Sequence, residues 1–523
     1  MPALPDDDPP FLILRREGER VVVRGAETWA SGEHGSAATV WAEWAWRDGR
    51  LTAKVDRYGF FNLFWYEKDG VVAVSPSLVK LVAEGCDATQ DKRALAVFHR
   101  IGIFVNDDTP LRYVKTLPPG GVLTWDGKGP AKVESGARVP GTQEISRDGA
   151  VEGMITHFRS AVGRALEEHQ GPFHVPLSGG RDSRHILLEV LHQGRRPETC
   201  VTFHHNGSVP NREAMAARAL CERLGVTHEM LGFGRPRLAD VVRALVMTGL
   251  CADEHAQMMP LNDYFLGRDA VSFDGIAGDI LTNPDDSAEW FMGLSLKGDW
   301  KGIAQGMMDG HGKVVSQPHW GKGAGPIYSP GMDEEVRDYV APAIAQYADA
   351  PDPYQMFWMF HRTRREINFV PQAILGSAKK VFCPYLDPEF VEFCISLPYS
   401  VTKDQQLHND AIALAYPEVA DIPYQEGFAE PQVQRNSKLG KLRGLGDAAR
   451  IVRALGHDNR AAELLSFVRA PEKLTRHHGD IYALHALSLA GLDAAKARRL
   501  LDLAAGLRAR RPARLVSDRY EGR

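Results

Sequence analysis

The sequence has few cysteines, no long apolar run and little net charge, and each of these absences excludes a class of protein. Its six cysteines are widely spaced and form no Cys-x-x-Cys pair, which argues against a structural zinc site or a disulfide framework. No stretch approaches the length of a membrane span, and the acidic, proline-rich residues 1–10 lack the features of a secretory signal. The net charge of −5 gives no reason to expect a nucleic acid or a membrane as partner. Together these absences predict a cytoplasmic protein.

The chain is long enough for two or three domains, and its pattern changes along its 523 residues. Residues 11–80 predict a β-rich region with two hairpins, which turn at Asp48-Gly49 and at Asp69-Gly70. Residues 126–148 are rich in Gly, Pro, Lys and Ser and predict an interdomain linker. The last part is rich in alanine and leucine and predicts helices. We therefore expect three parts, with the boundaries 1–140, 141–440 and 441–523.

Beyond the predicted linker, strands and helices alternate. Apolar residues recur at helical spacing over Asp148–His169 and predict an amphipathic helix. The elements expected after it are a strand at Phe173–Leu177, a helix to about Leu191, a strand at Cys200–Phe203, a helix at Asn211–Leu224 and a strand at Ala270–Phe273. This alternation predicts a parallel sheet with helices on both faces, in which ligands bind at the carboxyl ends of the strands.

The stretch Leu177-Ser178-Gly179-Gly180-Arg181-Asp182-Ser183 lies at such a strand end. Its two glycines let the backbone approach an anion, and the helix that follows directs N–H groups and its positive dipole end to the same place. Asp182 beside phosphates requires a cation, and Mg²⁺ commonly bridges a carboxylate and phosphate oxygens. No lysine is present, so the loop is not a Walker loop. The stretch predicts a Mg–nucleotide site with Arg181 near phosphate oxygens; the alternative is a glycine-rich turn capped by Ser183.

A second turn, Asp274–Asp279, repeats this pattern of strand, glycine and aspartate. It contains Gly275 directly after the predicted strand. If the carboxylates of Asp182 and Asp279 face the same pyrophosphate, they share one Mg²⁺ between two strand ends. The alternative is an ordinary glycine-rich turn between a strand and a helix.

The Ser-Gly-Gly-x-Asp-Ser motif resembles the PP-loop of ATP pyrophosphatases, and the order of the motifs resembles glutamine-hydrolysing asparagine synthetases. The segments similar to their synthetase domain are Glu213 with Leu224-Gly225, the turn Asp274–Asp279, Pro384-Tyr385-Leu386-Asp387 with Ser396-Leu397-Pro398, and Gly427-Phe428-Ala429-Glu430-Pro431. The segments similar to their glutaminase domain are Asp56-Arg57-Tyr58-Gly59, Ser75-Pro76-Ser77 and Lys115-Thr116-Leu117-Pro118-Pro119-Gly120. The resemblance covers roughly residues 40–435.

This resemblance implies an α/β protein: an N-terminal β-rich sandwich of the Ntn-glutaminase type, then a PP-loop parallel-sheet domain with a helical C-terminal extension. It implies that a carboxylate is adenylated by ATP and that an amine then displaces AMP to form an amide. The implied ATP contacts are Leu177, Ser178, Gly179, Gly180, Asp182, Ser183, Val201, Phe203 and Gly275, with Mg²⁺ on Asp182 and Asp279 and with Arg181 as a further catalytic residue. The implied partners are small-molecule or peptide carboxylates and amines; a homodimer is compatible with it.

The sequence departs from the family at three places. Pro2 stands where the glutaminase exposes a cysteine, so we expect no glutamine hydrolysis, as in β-lactam synthetases and lasso-peptide cyclases, which use an amine already on a substrate. Lys380 and Phe382 stand where the family often has Glu-x-Arg, and Gln425 stands where it has a lysine that stabilises developing charge.

Nearby residues offer local substitutes. Arg362, Arg364 and Arg365 form a cationic cluster with Glu366, or else a solvated helix face; Lys379, Lys380 and Lys403 are further cations, and Arg184 either contacts phosphate or lies on a helix surface. His204-His205 is expected to line a pocket or a turn, and Asp253-Glu254-His255 to bind an amine or Mg²⁺ or to cap a helix. Two other functions stay open: a different PP-loop chemistry such as thiolation, and a non-catalytic relative that binds nucleotide or a partner.

Overall fold

The computed structural model describes residues 8–203, 211–232, 237–252, 255–282, 287–310, 331–429, 491–510 and 517–521. Its strands are β1 (Leu12–Glu17), β2 (Arg20–Gly25), β3 (Thr28–Ser31), β4 (Ala42–Arg47), β5 (Arg50–Val55), β6 (Phe64–Lys68), β7 (Val71–Ser75), β8 (Val114–Thr116), β9 (Val122–Trp125), β10 (Lys132–Glu134), β11 (His174–Pro176), β12 (Thr199–Phe203), β13 (His228–Leu231), β14 (Val271–Phe273), β15 (Lys380–Phe382) and β16 (Ser517–Tyr520).

Its α-helices are α1 (Leu78–Ala83), α2 (Lys92–Ile101), α3 (Arg147–Glu168), α4 (Arg181–His192), α5 (Arg212–Leu224), α6 (Arg237–Met247), α7 (Met259–Phe265), α8 (Gly278–Thr282), α9 (Ala288–Ser295), α10 (Trp300–Asp309), α11 (Met332–Ala345), α12 (Pro353–Trp358), α13 (Pro388–Ser396), α14 (Tyr399–Thr402), α15 (Leu407–Ala415) and α16 (Ala494–Arg510). Two π-helices, Met359–Ile367 and Val370–Ile374, follow α12. Short 3₁₀ turns lie at Ala256–Met258, Pro384–Leu386, Pro417–Val419 and Gln425–Gly427.

The N-terminal region consists of two antiparallel five-stranded sheets, ordered β2-β1-β7-β6-β8 and β10-β9-β5-β4-β3. Both predicted hairpins are confirmed, because Asp48-Gly49 joins β4 to β5 and Asp69-Gly70 joins β6 to β7 with positive φ at all four residues, as tight hairpin turns require. Apolar side chains from β1, β4, β5, β7 and β9 form one core between the sheets. The linker prediction is wrong in part: β10 lies inside residues 126–148 and pairs with β9.

The second region contains the predicted parallel sheet, with the order β15-β14-β11-β12-β13-β16. β11 to β15 are parallel, and β16 joins the edge antiparallel to β13. Along the strands, neighbouring side chains enter different cores: Cys200 packs with α3 and α4, whereas Val201 packs with α7. Both faces of the sheet are therefore covered, as expected, and an α/β fold is confirmed.

The strand order creates a reversal point between β11 and β14. From β11 the chain moves outward through β12 to β13, then returns to the opposite side of β11 with β14 and β15. The connections that leave the carboxyl ends of β11 and β14 therefore run in opposite directions. In open α/β sheets, the crevice at such a reversal is the usual place for a ligand.

The C-terminal part is not helical throughout. In its described residues, α16 packs against α1 and α6, and β16 then extends the parallel sheet. The predicted helix is confirmed, but an edge strand was not foreseen because four residues carry no periodicity of their own. Within the described part of the chain, no helix is long and apolar enough to cross a membrane.

Candidate active site

The Ser-Gly-Gly loop connects β11 to α4, and its serines hold its shape. The hydroxyl of Ser183 accepts a hydrogen bond from the backbone N–H of Ser178 (2.9 Å), and the hydroxyl of Ser178 accepts one from the N–H of Gly180 (3.2 Å). Gly180 precedes α4 and offers no side chain to cap it, so backbone N–H groups of the first turn face the crevice. The loop thus has the geometry of an anion-binding turn at a helix N-terminus.

Gly179 is the point at which two distant segments meet the loop. A Cβ at this position would lie 2.7 Å from Cα of Glu213 at the start of α5, and 2.9 Å from Cβ of Gln425. The carbonyl of Gly179 accepts a hydrogen bond from the N–H of Gln425 (3.1 Å). Only glycine fits here, because both neighbours approach with backbone or Cβ atoms that cannot rotate away.

The two predicted aspartates come together across the reversal point. The backbone N–H of Asp279 donates to Oδ2 of Asp182 (3.1 Å), and the Asp279 side chain is exposed beside it. Two glycines of the second turn make this approach possible. A Cβ on Gly278 would lie 2.6 Å from Cγ of Asp182, and one on Gly275 would lie 3.1 Å from its Cβ. The second turn is therefore built around the Asp182 carboxyl group.

Acidic side chains are crowded around the Asp182 carboxyl group. Burial and the neighbouring Asp279 raise the pKa of Asp182 well above its usual value, although Arg181 opposes the shift. Oδ1 of Asp182 is buried and has no hydrogen-bond partner among the described residues. Burial also raises the pKa of Asp274 to about 6. Crowded carboxylates with a free oxygen form an arrangement that a divalent cation stabilises. The described residues contain no group of three or more His, Cys, Asp or Glu side chains that would hold a metal alone.

A buried polar network, which sequence reasoning missed, lies directly behind Asp182. His408 on α15 is fully buried, and its Nδ1 lies 3.0 Å from Oγ1 of Thr282 and 3.5 Å from Oδ1 of Asp182. Its Nε2 lies 3.0 Å from Nδ1 of His185 and 3.1 Å from the hydroxyl of Tyr385. The one sequence signal was that His185 follows Asp182 by three positions, which places both on one face of α4.

Arg184 holds the segment that carries Gln425 against α4. Its guanidinium donates to the carbonyls of Ile422 (2.8 Å) and Pro423 (2.7 Å) and lies 4.0 Å from the ring centre of Tyr424. Arg184 is 3% exposed, so the alternative of a helix surface is wrong, whereas the phosphate contact stays a prediction. The clamp brings Gln425 to the loop, where its side-chain N–H donates to Glu426 (3.2 Å).

The remaining predicted nucleotide contacts lie along β12 and α4. The carbonyl of Val201 accepts from the N–H of Leu177 inside the sheet, and the Val201 side chain is buried in the core. Of the two predicted contacts on this strand, Phe203 is the less covered, because its side chain is half-buried. Arg181, the first residue of α4, is also half-buried and influences the pKa of Asp182 and of Tyr424.

Lys380 does not lie near the loop. It is the first residue of β15, whereas Ser178 follows the last residue of β11. Because these strands run in parallel, Lys380 lies at the amino ends of the strands and Ser178 at their carboxyl ends. There it forms an ion pair with Glu168, while Lys379 pairs with Asp269 (3.0 Å). Phe382 is buried in the core at the other end of β15. The proposal that Lys379 and Lys380 substitute at the acceptor site is wrong, because both lie at the amino ends of the strands, away from the loop.

The arginine cluster lies on the first π-helix and binds the N-terminal region. Arg364 donates to the carbonyls of Asn106 (2.8 Å) and Leu117 (3.1 Å). Arg365 donates to Oδ1 of Asn62 (3.0 Å), and burial lowers its pKa to about 10. Both guanidinium groups are buried, so the prediction of a solvated helix face is wrong for them, and they are not available to a substrate.

Arg362, the third arginine of the cluster, stays a candidate for substrate contact. Nε of Arg362 lies 3.7 Å from Oε2 of Glu366, which is buried, whereas Arg362 is only partly covered. This π-helix packs against α8, which begins one residue before Asp279. Arg362 is therefore within one packed helix of the second aspartate turn.

Some predicted residues cannot be placed. His204-His205, Asp253-Glu254 and Glu430-Pro431 lie outside the described residues, as does Pro2. Lys403 is exposed. All six cysteines are described, and all are buried and free. Burial raises the pKa of both Cys86 and Cys251 to about 12, so none of the six presents an exposed thiolate.

The chain has no match among models of known protein families, and none among curated proteins. What the site can do chemically follows from its own residues. They supply an anion-binding turn, an aspartate carboxylate that accepts from the backbone of a second aspartate, and a crevice at the reversal point of a parallel sheet.

Proposed function

We propose that the chain is an ATP-dependent amide-bond-forming ligase of the asparagine synthetase type. The observation that carries this proposal is the meeting of Asp182 and Asp279 beside the Ser178–Ser183 loop, at the reversal point of the sheet. A phosphate-binding turn alone fits many ligands. A turn whose helix carries a half-buried carboxylate, next to a second aspartate, fits a polyphosphate bound with a divalent cation. The order of motifs in the sequence fits the same family.

The residues present fit Mg²⁺. Asp182 retains a buried oxygen with no partner among the described residues, and its pKa is raised because Asp279 and burial act together on it. When bound, Mg²⁺ neutralises charge on the pyrophosphate that leaves and on these carboxylates. The backbone N–H groups of the loop hold the phosphates, and Arg181 adds a positive charge at the same helix end.

The chemistry needs alignment more than covalent help from the protein. A substrate carboxylate oxygen attacks the α-phosphorus of ATP, the bond to the bridging oxygen breaks, and pyrophosphate leaves. An amine nitrogen then attacks the activated carbonyl carbon, loses a proton, and releases AMP. The crevice between β11 and β14 holds the reacting groups in one place, which is the main contribution to such a step.

We propose that the amine does not come from glutamine hydrolysed by a cysteine of this sequence. All six cysteines are buried, and a thiol nucleophile must be reachable and readily deprotonated. The N-terminal sandwich then serves as a scaffold, which Arg364 and Arg365 attach to the rest of the chain. The donor is an amine on a small molecule or on a peptide.

Two measurements test this function. Isothermal titration should detect binding of α,β-methylene-ATP with Mg²⁺, and Asp182→Ala should abolish it. ATP–pyrophosphate exchange with a panel of amino acids and peptides should then reveal the carboxylate. Asp269→Asn is the matched control, because Asp269 is an exposed aspartate at the opposite edge of the sheet. Absence of nucleotide binding would refute the proposal, and binding without exchange for any carboxylate would favour a non-catalytic nucleotide-binding protein.

A further inference from the structure

In the buried network behind Asp182, the hydrogen-bond distances determine the positions of the protons around Thr282. The hydroxyl of Thr282 donates its single proton to the carbonyl of Gly278 (2.6 Å). It must therefore accept from Nδ1 of His408 at 3.0 Å, which makes Nδ1 the protonated nitrogen of that ring. Nε2, the other ring nitrogen, lies 3.0 Å from Nδ1 of His185 and 3.1 Å from the hydroxyl of Tyr385.

Further contacts hold the rings of this network in place. Nδ1 of His185 lies 3.0 Å from Nε2 of His408, and the hydroxyl of Tyr385 donates to the backbone carbonyl of Asp182 (3.2 Å). The His185 ring stacks on Phe158, with ring centres 3.9 Å apart. In the low-dielectric interior, such polar contacts order the groups that they join.

His408 connects the two turns that carry the aspartates. Its Nδ1–H reaches Thr282 on α8, the helix that begins beside Asp279, and the same nitrogen lies 3.5 Å from Oδ1 of Asp182 on α4. Through Nε2 it also contacts His185 on α4. One ring thus fixes α8 relative to α4. Their separation determines whether the Asp182 and Asp279 carboxylates face the same position.

We propose that His408 is a positioning residue that holds Asp182 and Asp279 in the relative placement needed to bind one divalent cation. This inference rests on the proposed Mg–nucleotide site. Tyr385 adds a second hydrogen bond to the same turn, because its hydroxyl donates to the backbone carbonyl of Asp182. Phenylalanine, which the similar segment of asparagine synthetases has at this position, offers no such donor. Residues behind a metal ligand commonly determine its orientation in this way.

Two amide variants, with an apolar variant for comparison, distinguish a positioning role of His408 from a role in packing alone. Asparagine places an amide N–H near the position of Nδ1, so His408→Asn keeps the donor to Thr282. Glutamine reaches the position of Nε2, so His408→Gln keeps the contact to His185 and loses that donor. His408→Leu loses both. The three proteins are compared by Mn²⁺ binding in the presence of α,β-methylene-ATP, followed by electron paramagnetic resonance, with thermal unfolding measured in parallel.

We expect His408→Gln and His408→Leu to weaken Mn²⁺ binding by about 10- to 100-fold, and His408→Asn to retain most of it. If leucine prevents folding, the asparagine and glutamine variants decide. Equal Mn²⁺ affinity in the Asn and Gln variants, whether both normal or both weak, would overturn the positioning role. If the unaltered protein binds no Mn²⁺–nucleotide, the proposed function fails first, and this inference fails with it.

Discussion

Gly278→Ala provides a direct test of how the two aspartate turns fit together. The methyl group would lie 2.6 Å from Cγ of Asp182 and 2.9 Å from each carboxylate oxygen. Non-bonded carbon atoms prefer separations of about 3.5–4.0 Å, so the carboxyl group must move by about 1 Å. Because it is the end of a side chain, it can do so by rotation, and the backbone can stay where it is.

This rotation predicts a large effect on binding and a small one on folding. A side chain forced off its rotamer costs about 1 kcal/mol, which the folded protein tolerates. A displacement of about 1 Å in a group that must meet a cation and a phosphate costs on the order of 100-fold in a well-fitted site. We therefore expect Gly278→Ala to fold and to bind Mg²⁺–α,β-methylene-ATP about 10- to 100-fold more weakly.

Isothermal titration measures the affinity, and urea unfolding measures the stability. Gly293→Ala is the matched control, because a methyl group on this exposed glycine of α9 meets nothing within 4 Å. The control should bind normally and gain about 0.5–1 kcal/mol from improved helix propensity. A folded Gly278→Ala protein with unchanged Mg²⁺–nucleotide affinity would refute the placement of the cation at Asp182.

Three further outcomes follow from buried groups. Arg184→Met leaves the buried carbonyl of Ile422 and the partly buried carbonyl of Pro423 without their donor and should lower the free energy of unfolding in urea by about 3 kcal/mol. Arg223→Met, at an exposed arginine beside the same segment, should change it by less than about 0.5 kcal/mol, and equal losses would contradict the clamp. Burial raises the pKa of Asp352 to about 6 from its usual 3.8, so its contribution to stability is present below pH 3.8 and is lost as the pH rises through 6. Asp352→Asn keeps the helix cap and should gain up to about 3 kcal/mol over the unaltered protein between pH 4 and pH 7; a difference that does not change with pH would refute this. Finally, none of the six buried thiols should react with Ellman's reagent within minutes in the native protein, and all should react in urea; a fast native thiol would contradict the absence of a cysteine nucleophile.

The sequence predicted those parts of the fold that local chemistry determines. Hairpins turned where Asp-Gly permits positive φ, and the alternation after residue 148 gave the parallel sheet with nearly correct strand ends. The loop and the second turn were found for the same reason, because glycine and serine spacing shapes a turn without help from distant residues. Asp182 and Asp279 meet because parallel strands bring their carboxyl ends to one edge of the sheet.

The errors concern side chains whose surroundings come from far along the chain. Arg184 has the spacing of an exposed helix residue, but residues 422–424 cover it. Arg364 and Arg365 have the pattern of a charged surface, but loops of the N-terminal region bury them. Proximity in sequence also predicted Lys380 near the site, whereas the direction of β15 places it at the amino ends of the strands, away from the loop. His408 had no local signal, since its partners lie on two other helices.

Glutamine at position 425, where the asparagine synthetases that the sequence resembles have lysine, leaves the contact between this segment and the loop unchanged. The contact that Gln425 makes with the loop is through its backbone N–H, which any residue but proline supplies to the carbonyl of Gly179. The position of this segment is set by Arg184, whose bonds also go to backbone carbonyls. Replacing lysine by glutamine at this position therefore changes the charge beside the loop and leaves the shape of the loop intact. Shape and charge depend on different atoms here, because backbone atoms determine the geometry of the loop, whereas the side chain at position 425 determines the charge beside it.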